Sequence, residues 1–145
     1  MTNPKDIIVV GGDGFCGWPT ALQLSKLGHN VTIVDNMSRR FIDEDLGADS
    51  LTPISSMEDR LLAWNEQTGL NINFVKINVA REFGRILGLI YRLKPDTIIH
   101  FGEQRAAPYS MKGAGEKRYT VDNNVSGTHN LLAVSYTHLT LPTKA

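Results

Sequence analysis

Unbroken apolar runs alternate with amphipathic runs along roughly the first hundred residues. The runs over 6–10, 31–34, 72–77 and 97–101 predict strands buried on both faces, because their hydrophobic residues follow one another without polar alternation. The segments 15–27, 57–68 and 81–93 carry hydrophobic residues at helical spacing and predict the helices between those strands. This β-α-β-α-β-α-β order predicts an α/β fold, in which helices cover both faces of a parallel sheet.

The other segments predict surface and helical structure. Residues 42–56 are acidic with few apolar positions, which indicates a surface excursion that can hold a short helix. Residues 116–134 predict one long helix. Asn123 and Asn124 disfavour a helix interior, because their amides compete for backbone hydrogen bonds. We interpret this pair as either a cofactor contact or a tie to the strand ends.

A glycine-rich turn joins the first predicted strand to the first predicted helix. Two spacings overlap in it: G-x-G-x-x-G at positions 12, 14 and 17, and G-x-x-G-x-x-G at positions 11, 14 and 17. Glycine there permits a tight turn, close approach to a pyrophosphate and close helix–strand packing. We therefore predict dinucleotide binding on a Rossmann-type, doubly wound parallel sheet, with a purely structural turn as the alternative. The candidate cofactor residues of the turn are Gly11, Gly14, Phe15, Cys16 and Gly17.

Asp35 ends the second predicted strand, about 20 residues past the glycines, where an acidic side chain can hold the adenosine ribose hydroxyls. Its carboxylate would repel a 2′-phosphate, which favours NAD. Arg39 and Arg40 could offset that repulsion, so NADP stays open. We predict that Asn36, Arg39 and Arg40 also contact the cofactor; the alternative is a solvated turn with two surface arginines.

Polar residues also follow the third and fourth predicted strands. Ligands bind beyond the carboxyl ends of strands in such folds. Asn78 and Val79 could hold and flank an adenine ring. His100 is more consistent with a core or supporting histidine than with a ligand.

The glycine-opened loop 101–110 is a second candidate binding segment. We predict that Phe101 and Gly102 contact the cofactor, and that Glu103, Gln104 and Arg105 contact the substrate. Arg105 could pair with a phosphate, a sulfite or a carboxylate. The alternative is a surface loop in which Glu103 is simply the ion-pair partner of Arg105.

Composition excludes several classes of protein. The 145 residues carry 15 Lys+Arg and 15 Asp+Glu, so we expect no nucleic-acid partner. Cys16 is the single cysteine, which excludes an internal disulfide and a multi-cysteine metal site; we predict no metal, and that Cys16 packs behind the turn. No apolar run approaches the ~18 residues of a membrane span, and no secretory signal is visible. We therefore expect a cytoplasmic protein without a membrane partner.

Taken together, these stretches resemble the extended short-chain dehydrogenase/reductase family, in its nucleotide-sugar branch. The glycine pattern followed by Asp35, the loop after the fourth strand and the stretch 123–128 carry this resemblance. More narrowly, the stretches 11–18, 34–36, 39–40, 51–54 and 100–111 resemble the UDP-sulfoquinovose synthase family. The last of these is the most specific, because related epimerases and dehydratases do not usually carry it. The resemblance covers residues 6 to about 132.

The resemblance implies an enzyme that converts UDP-glucose and sulfite to UDP-sulfoquinovose with a tightly held NAD. Hydride would leave the sugar C4 for NAD, water would be lost across C5–C6, sulfite would add at C6, and the hydride would return. It also implies a homodimeric parent protein, a role in sulfolipid synthesis and a hydrolase classification. The residues placed near NAD and the sugar by resemblance are Gly11, Gly14, Gly17, Asp35, Asn36, Arg39, Arg40, Gln104, Arg105 and Asn124.

Two departures from the family pattern matter. The family carries an Asp-hydrophobic pair for adenine after the third strand, where this chain has Asn78 and Val79; we interpret this as a substitution. The catalytic Tyr-x-x-x-Lys of the family does not occur in the 145 residues. Its tyrosine is the acid/base for the C4 hydroxyl, so we predict no catalytic residue here and very weak hydride transfer.

The end of the chain differs in character from the rest. Residues 135–145 are threonine-rich with a proline, unlike the family at that place. We therefore expect 1–134 to be a partial NAD-binding Rossmann domain, incomplete at its C-terminal side, and 135–145 to be an aberrant tail; an authentic short protein is the alternative. We also expect aggregation, because a bare sheet edge would remain. Two other functions stay open: a fragment of a UDP-sugar 4-epimerase or 4,6-dehydratase, and a non-catalytic NAD-binding module.

Overall fold

A four-stranded parallel sheet forms the centre of the computed structural model, which describes residues 3–138, without the side chains of 137 and 138. The strands are β1 (Asp6–Val10), β2 (Asn30–Asp35), β3 (Ile72–Lys76) and β4 (Thr97–His100), in the spatial order β3-β2-β1-β4. The chain thus winds outward from β1 in one direction and then crosses over to its other side. All four predicted strands are confirmed, as is the doubly wound parallel sheet.

Seven α-helices surround the sheet within the described part of the chain. They are α1 (Gly17–Lys26), α2 (Ser38–Asp45), α3 (Met57–Thr68), α4 (Phe83–Leu93), α5 (Ala107–Lys112), α6 (Ala114–Val121) and α7 (Gly127–His138). A π-helical segment, Asp122–Ser126, joins α6 to α7. Ser56 caps α3 by accepting from the N–H of Asp59, and Gly69 ends that helix with a positive φ.

Strand alternation divides the core into two layers. Ile7 and Val9 of β1 face the layer that contains α1 and α3, while Ile8 and Val10 face the layer that contains α4 and α7. Because both faces of β1 are covered, this strand is continuously apolar from Ile7 to Val10. β1 lies between β2 and β4 and is almost fully buried, so it places the glycine-rich turn that follows it at the middle of the sheet edge.

Several predicted boundaries differ from the structure. The first helix begins at Gly17, not at residue 15, and α2 begins at Ser38, so Arg39 and Arg40 lie on a helix and not in a turn. The loop 101–110 contains the start of α5, whose helical conformation continues to Lys112. The predicted long helix 116–134 is interrupted by the π-helical segment that contains Asn123 and Asn124, and its last helix extends to His138.

The predicted tail lies mostly outside the described residues. Residues 135–138 complete α7, and residues 139–145 are not described. No helix found between residues 3 and 138 is long and apolar enough to cross a membrane.

Candidate functional site

A cleft of about 480 Å³ opens beyond the carboxyl ends of β1, β2 and β4. This is the edge at which ligands bind in doubly wound sheets. Its walls come from the glycine-rich turn, the start of α2, the loop after β4 and the π-helical segment. Of the predicted site residues, the cleft is lined by Gly11, Gly14, Phe15, Cys16, Gly17, Asp35, Asn36, Arg39, Val79, Phe101, Gly102, Glu103, Gln104 and Arg105.

The glycine-rich turn requires glycine where chain segments come together. Gly11 has φ 81°, and a Cβ there would lie 2.5 Å from the carbonyl carbon of Phe101. A Cβ on Gly17 would collide with the carbonyl oxygen of Gly11, so only glycine lets α1 start this close to the turn. Pro19 has no N–H, and the N–H groups of Trp18 and Thr20 donate to the carbonyls of Gly14 and Cys16. The N–H groups beside the cleft that could stabilise an anion are therefore those that precede Trp18.

Phe15 and Cys16 are the exposed side chains that follow this turn. Phe15 is 83% exposed, and the Cys16 thiol is also exposed. The prediction that Cys16 packs behind the turn is therefore wrong. Ala21 and Ser25, one and two helical turns after Gly17, occupy the buried side of α1 instead. Cys16 contributes to the cleft wall.

Asp35 lies at the carboxyl end of β2 and faces the glycine-rich turn. Its Oδ2 accepts from the N–H of Asp13 at 2.9 Å, and its Oδ1 accepts from the N–H of Met37 at 2.8 Å. Burial raises the pKa of this carboxyl above its ordinary value, and the two N–H bonds only partly oppose that effect. Each carboxylate oxygen can accept a second bond, so Asp35 can still receive hydroxyl groups from the cleft.

Asp13 anchors a buried ion cluster that the sequence analysis missed. Its carboxylate accepts from Nη2 of Arg40 at 2.7 Å and from Nη2 of Arg60. The Arg60 guanidinium also lies 4.6 Å from the ring centre of Trp18. Only an acidic residue inside the glycine motif hinted at this cluster, because its partners lie 27 and 47 positions away.

The residues after Asp35 mostly organise α2. Asn36 accepts from the N–H of Ser38 at 2.9 Å, and Arg39 lies 3.5 Å from Asp43 within the same helix. Arg40 contacts Asp13 and is absent from the cleft wall. The two arginines predicted near the cofactor therefore differ, since Arg39 lines the cleft and Arg40 is turned to the ion cluster.

Asn78 and Val79 follow β3 but have different surroundings. Asn78 accepts from the N–H groups of Ala80 and Arg81, so its side chain caps a turn, and it does not line the main cleft. Val79 is buried and lines that cleft. A shallower depression next to the cleft is lined by Asn36, Ser38, Phe41, Lys76, Asn78, Glu82, Arg85 and Tyr119.

The loop after β4 is held by the two asparagines of the π-helical segment. Asn124 accepts from the N–H of Gln104 at 2.7 Å and donates to its carbonyl at 2.9 Å, while Asn123 donates to the carbonyl of Gly102 at 3.0 Å. The pair therefore ties the helix to the end of β4. Asn123 lines the cleft, whereas the Asn124 amide is used on the Gln104 backbone.

Glu103 has a different partner from the one considered in the sequence analysis. Its carboxylate lies 3.0 Å from Nε2 of His100 and accepts from the Thr128 hydroxyl at 2.8 Å. His100 also accepts from the N–H of Gly102 at 3.2 Å, so it supports the loop, in line with the sequence interpretation. Within residues 3–138, Arg105 makes no ion pair and lies exposed at the cleft.

Two residues of the cleft wall carry a buried polar atom without a partner among the described residues, the acceptor Oδ2 of Asp13 and the donor Nε2 of Gln104. The Gln104 side-chain Nε2 is buried and makes no hydrogen bond inside the described region. An unsatisfied buried donor is unfavourable by about 1–3 kcal/mol, so a ligand acceptor at this place would be stabilising. Across residues 3–138, no group of three or more His, Cys, Asp or Glu could hold a metal ion.

Known proteins similar to this chain are named for reactions of nucleotide sugars. Residues 8–144 match the sequence profile of the family described as GDP-mannose 4,6 dehydratase. The chloroplastic UDP-sulfoquinovose synthase of Spinacia oleracea is 48% identical over 88% of this chain and 26% of its own length. The UDP-sulfoquinovose synthase of Sulfolobus acidocaldarius is 41% identical over 84% of this chain and 31% of its own length. The chain thus spans about a third or less of these two relatives. None of these names denotes a hydrolase, so that expected classification gains no support.

Solved structures with the same fold include UDP-glucose 4-epimerases. The enzyme from Stenotrophomonas maltophila, crystallised with NAD and formylated UDP-arabinopyranose, superposes with a TM-score of 0.67 at 23% identity, over 90% of this chain and 33% of its own. The enzyme from Bifidobacterium longum, in complex with NAD⁺ and UDP, gives a TM-score of 0.68 at 22% identity, over 92% of this chain and 34% of its own. At this identity the likeness establishes the Rossmann-type fold alone.

Proposed function

The chain belongs to the GDP-mannose 4,6 dehydratase family of nucleotide-sugar enzymes, and from this premise we propose that its cleft binds NAD. The glycine-rich turn and the start of α1 would hold the pyrophosphate, because they present backbone N–H groups at a helix N-terminus. Gly11, Gly14 and Gly17 supply the close approach that a phosphate needs. When bound in the complete protein, NAD would supply a hydride acceptor and donor.

The position of Asp35 is the single observation that carries this proposal. Its carboxylate ends β2, borders the cleft and is bonded through Oδ2 to the backbone of the glycine-rich turn. A carboxylate fixed beside a pyrophosphate-binding turn suits the two hydroxyls of an adenosine ribose. Asn36 and Val79 would border the adenosine half of the cofactor.

Gln104 would contact either the nicotinamide half of the cofactor or the sugar. Its side-chain Nε2 is a buried donor in the cleft wall that lacks a partner among the described residues, and Asn124 fixes the backbone of the same residue. Arg105, unpaired in the described chain, would add a cation for a phosphate or sulfite oxygen. Phe101 and Gly102 would contact the nicotinamide end, since they connect β4 to this loop.

Titration with NAD tests the cofactor assignment directly. We expect the complete gene product to bind NAD in isothermal titration calorimetry, and Asp35→Asn in it to weaken binding about tenfold, the effect of one charge-assisted hydrogen bond. Asp96→Asn is the matched control, because Asp96 accepts from the N–H of Asp6 at the opposite edge of the sheet. Equal affinity in the wild type and Asp35→Asn would contradict the assignment, as would no NAD binding.

For the whole protein, we propose synthesis of UDP-sulfoquinovose from UDP-glucose and sulfite. The support is the identity to two UDP-sulfoquinovose synthases, together with the loop 100–111 that those enzymes share with this chain by resemblance. No Tyr-x-x-x-Lys occurs in the 145 residues, so we propose that this chain alone binds the cofactor without completing hydride transfer.

Testing the catalytic proposal requires the source gene to be sequenced past the codon for Asn130 and its complete product to be expressed. We expect that product to consume UDP-glucose only when sulfite is added, with a sulfonated nucleotide sugar detected by mass spectrometry. Formation of UDP-galactose without sulfite would instead favour a UDP-sugar 4-epimerase, the activity of the relative that is 32% identical in Arabidopsis thaliana.

A further inference from the structure

Asp13 connects the glycine-rich turn to two helices that follow the second strand. Its backbone N–H donates to Oδ2 of Asp35, and its side-chain carboxylate binds Arg40 of α2 and Arg60 of α3. The Asp13 side chain is 1% exposed, while those of Arg40 and Arg60 are 28% and 14% exposed. A carboxylate buried this far is held in place by its two cationic partners.

The cluster determines where the Arg40 guanidinium points. Nη2 of Arg40 lies 2.7 Å from Oδ1 and 3.3 Å from the carbonyl oxygen of Asp13, so this nitrogen donates to that residue at both places. Arg40 does not line the cleft, although it is five positions past Asp35. A cation at this distance from Asp35 would be the natural partner for a phosphate on the ribose 2′-oxygen.

The neighbouring arginine has its own acidic partner. Arg39 lines the cleft together with Asp43, and the two side chains lie 3.5 Å apart. Near the ribose position, the charge of Arg40 lowers the pKa of Asp35, but this is the smallest of the effects on that carboxyl, and both arginines already bond to other carboxylates. A 2′-phosphate placed there would face a buried carboxylate and no cation directed at it.

We propose that Asp13 is a specificity-determining residue that selects NAD over NADP by holding Arg40 away from the ribose site. This inference rests on the proposed binding of NAD in the cleft. Asp35 supplies the repulsion against a 2′-phosphate, and Asp13 prevents Arg40 from cancelling it. Removing the Asp13 charge therefore releases a cation toward the place that NADP needs.

The test measures NAD and NADP affinities of matched variants by calorimetry. We expect Asp13→Asn to raise the NADP-to-NAD affinity ratio about tenfold, the effect of one hydrogen bond to a charged group. Adding Arg40→Gln to Asp13→Asn should abolish this gain, whereas adding Arg118→Gln should leave it, because Arg118 pairs with Asp122 and does not line the cleft. Arg60→Met is the second control, because it also breaks the ion cluster but leaves Asp13 holding Arg40, and it should not raise the ratio.

If the wild type binds NAD, three results would overturn the inference about Asp13. They are an unchanged ratio in folded Asp13→Asn, a gain that survives Arg40→Gln, and a similar gain in Arg60→Met. Absence of NAD binding by the wild type would instead overturn the proposed function. If circular dichroism shows that Asp13→Asn does not fold, Arg40→Gln decides alone: an unchanged NADP affinity supports the inference, and a tenfold loss contradicts it.

Discussion

The side-chain amide of Asn124 makes two hydrogen bonds to the backbone of Gln104. Oδ1 of Asn124 accepts from the Gln104 N–H at 2.7 Å, and Nδ2 donates to the Gln104 carbonyl at 2.9 Å. This paired contact crosses 20 residues of chain and joins the π-helical segment to the loop after β4. π-helical turns often occur at functional sites, and this one places two amides toward the cleft loop.

Replacing the Asn124 amide by a carboxylate tests that contact. In Asn124→Asp, the lost donor becomes an oxygen opposite the Gln104 carbonyl, so we expect unfolding free energy to fall by about 1–3 kcal/mol and NAD affinity to fall severalfold. Urea denaturation and calorimetry measure the two effects.

Asn65→Asp is the matched control, because Asn65 lies on α3, away from the cleft, and donates to Leu70 and Asn71. We expect it to leave NAD affinity unchanged. If both variants weaken NAD binding equally, the contact between Asn124 and Gln104 has no specific role in the site.

Alanine at two helical glycines should have opposite effects. In Gly17→Ala the new methyl group meets the Gly11 carbonyl oxygen, so we expect a loss of about 1–3 kcal/mol of stability and at least tenfold weaker NAD binding. In Gly88→Ala of α4 the methyl group meets open space, so we expect a gain of about 0.5–1 kcal/mol and no change in binding. Thermal denaturation with calorimetry distinguishes the pair; wild-type behaviour of Gly17→Ala would refute the packing argument.

The raised pKa of Asp35 predicts how NAD affinity depends on pH. The ionised carboxylate accepts the ribose hydroxyls, so affinity is full above the folded-state pKa and is lost as pH falls through it. Because burial raises this pKa above 3.8, we expect the loss to have its midpoint above pH 3.8. In Asp35→Asn, NAD affinity should not show this loss as pH falls. A wild-type midpoint at or below 3.8 would contradict the effect of burial.

The same shift affects the unliganded fold in the opposite direction. When a folded-state pKa is raised, the folded protein binds more protons than the unfolded chain between the two pKa values. The Asp35 contribution to the free energy of unfolding is therefore largest below pH 3.8 and falls as pH rises through its folded-state value. Asparagine does not titrate, so we expect Asp35→Asn to become more stable relative to the wild type as pH rises over this interval. Urea denaturation at several pH values measures this difference.

Arg105 should matter for binding and not for folding. Since it makes no ion pair in the described chain and is exposed, Arg105→Met should change unfolding free energy by less than about 0.5 kcal/mol. We expect it to weaken the binding of UDP-glucose or sulfite to the complete gene product severalfold. Arg85→Met removes an exposed cation paired with Glu82 and serves as the control. Unchanged affinities in Arg105→Met would exclude Arg105 from the substrate site.

The strand positions and the glycine-rich turn could be predicted because their signals are local. Ile7 to Val10 are apolar on both faces of one strand, and Gly11, Gly14 and Gly17 are spaced by the geometry of a single turn. Asp35 could be placed at the end of β2 because it directly follows the apolar run of residues 31–34. The break in the long helix was not predicted, although Asn123 and Asn124 were identified as poor residues for a helix interior.

The amino-acid sequence by itself determined the doubly wound sheet, the cleft edge and most of the residues around it. Only the tertiary structure decided the partners: Asp13 with Arg40 and Arg60, and Glu103 with His100 in place of Arg105. The reason is physical, since hydrophobic periodicity and turn geometry act between residues close in sequence. Side-chain pairing instead depends on which charges and amides the packed sheet brings within about 3 Å of each other.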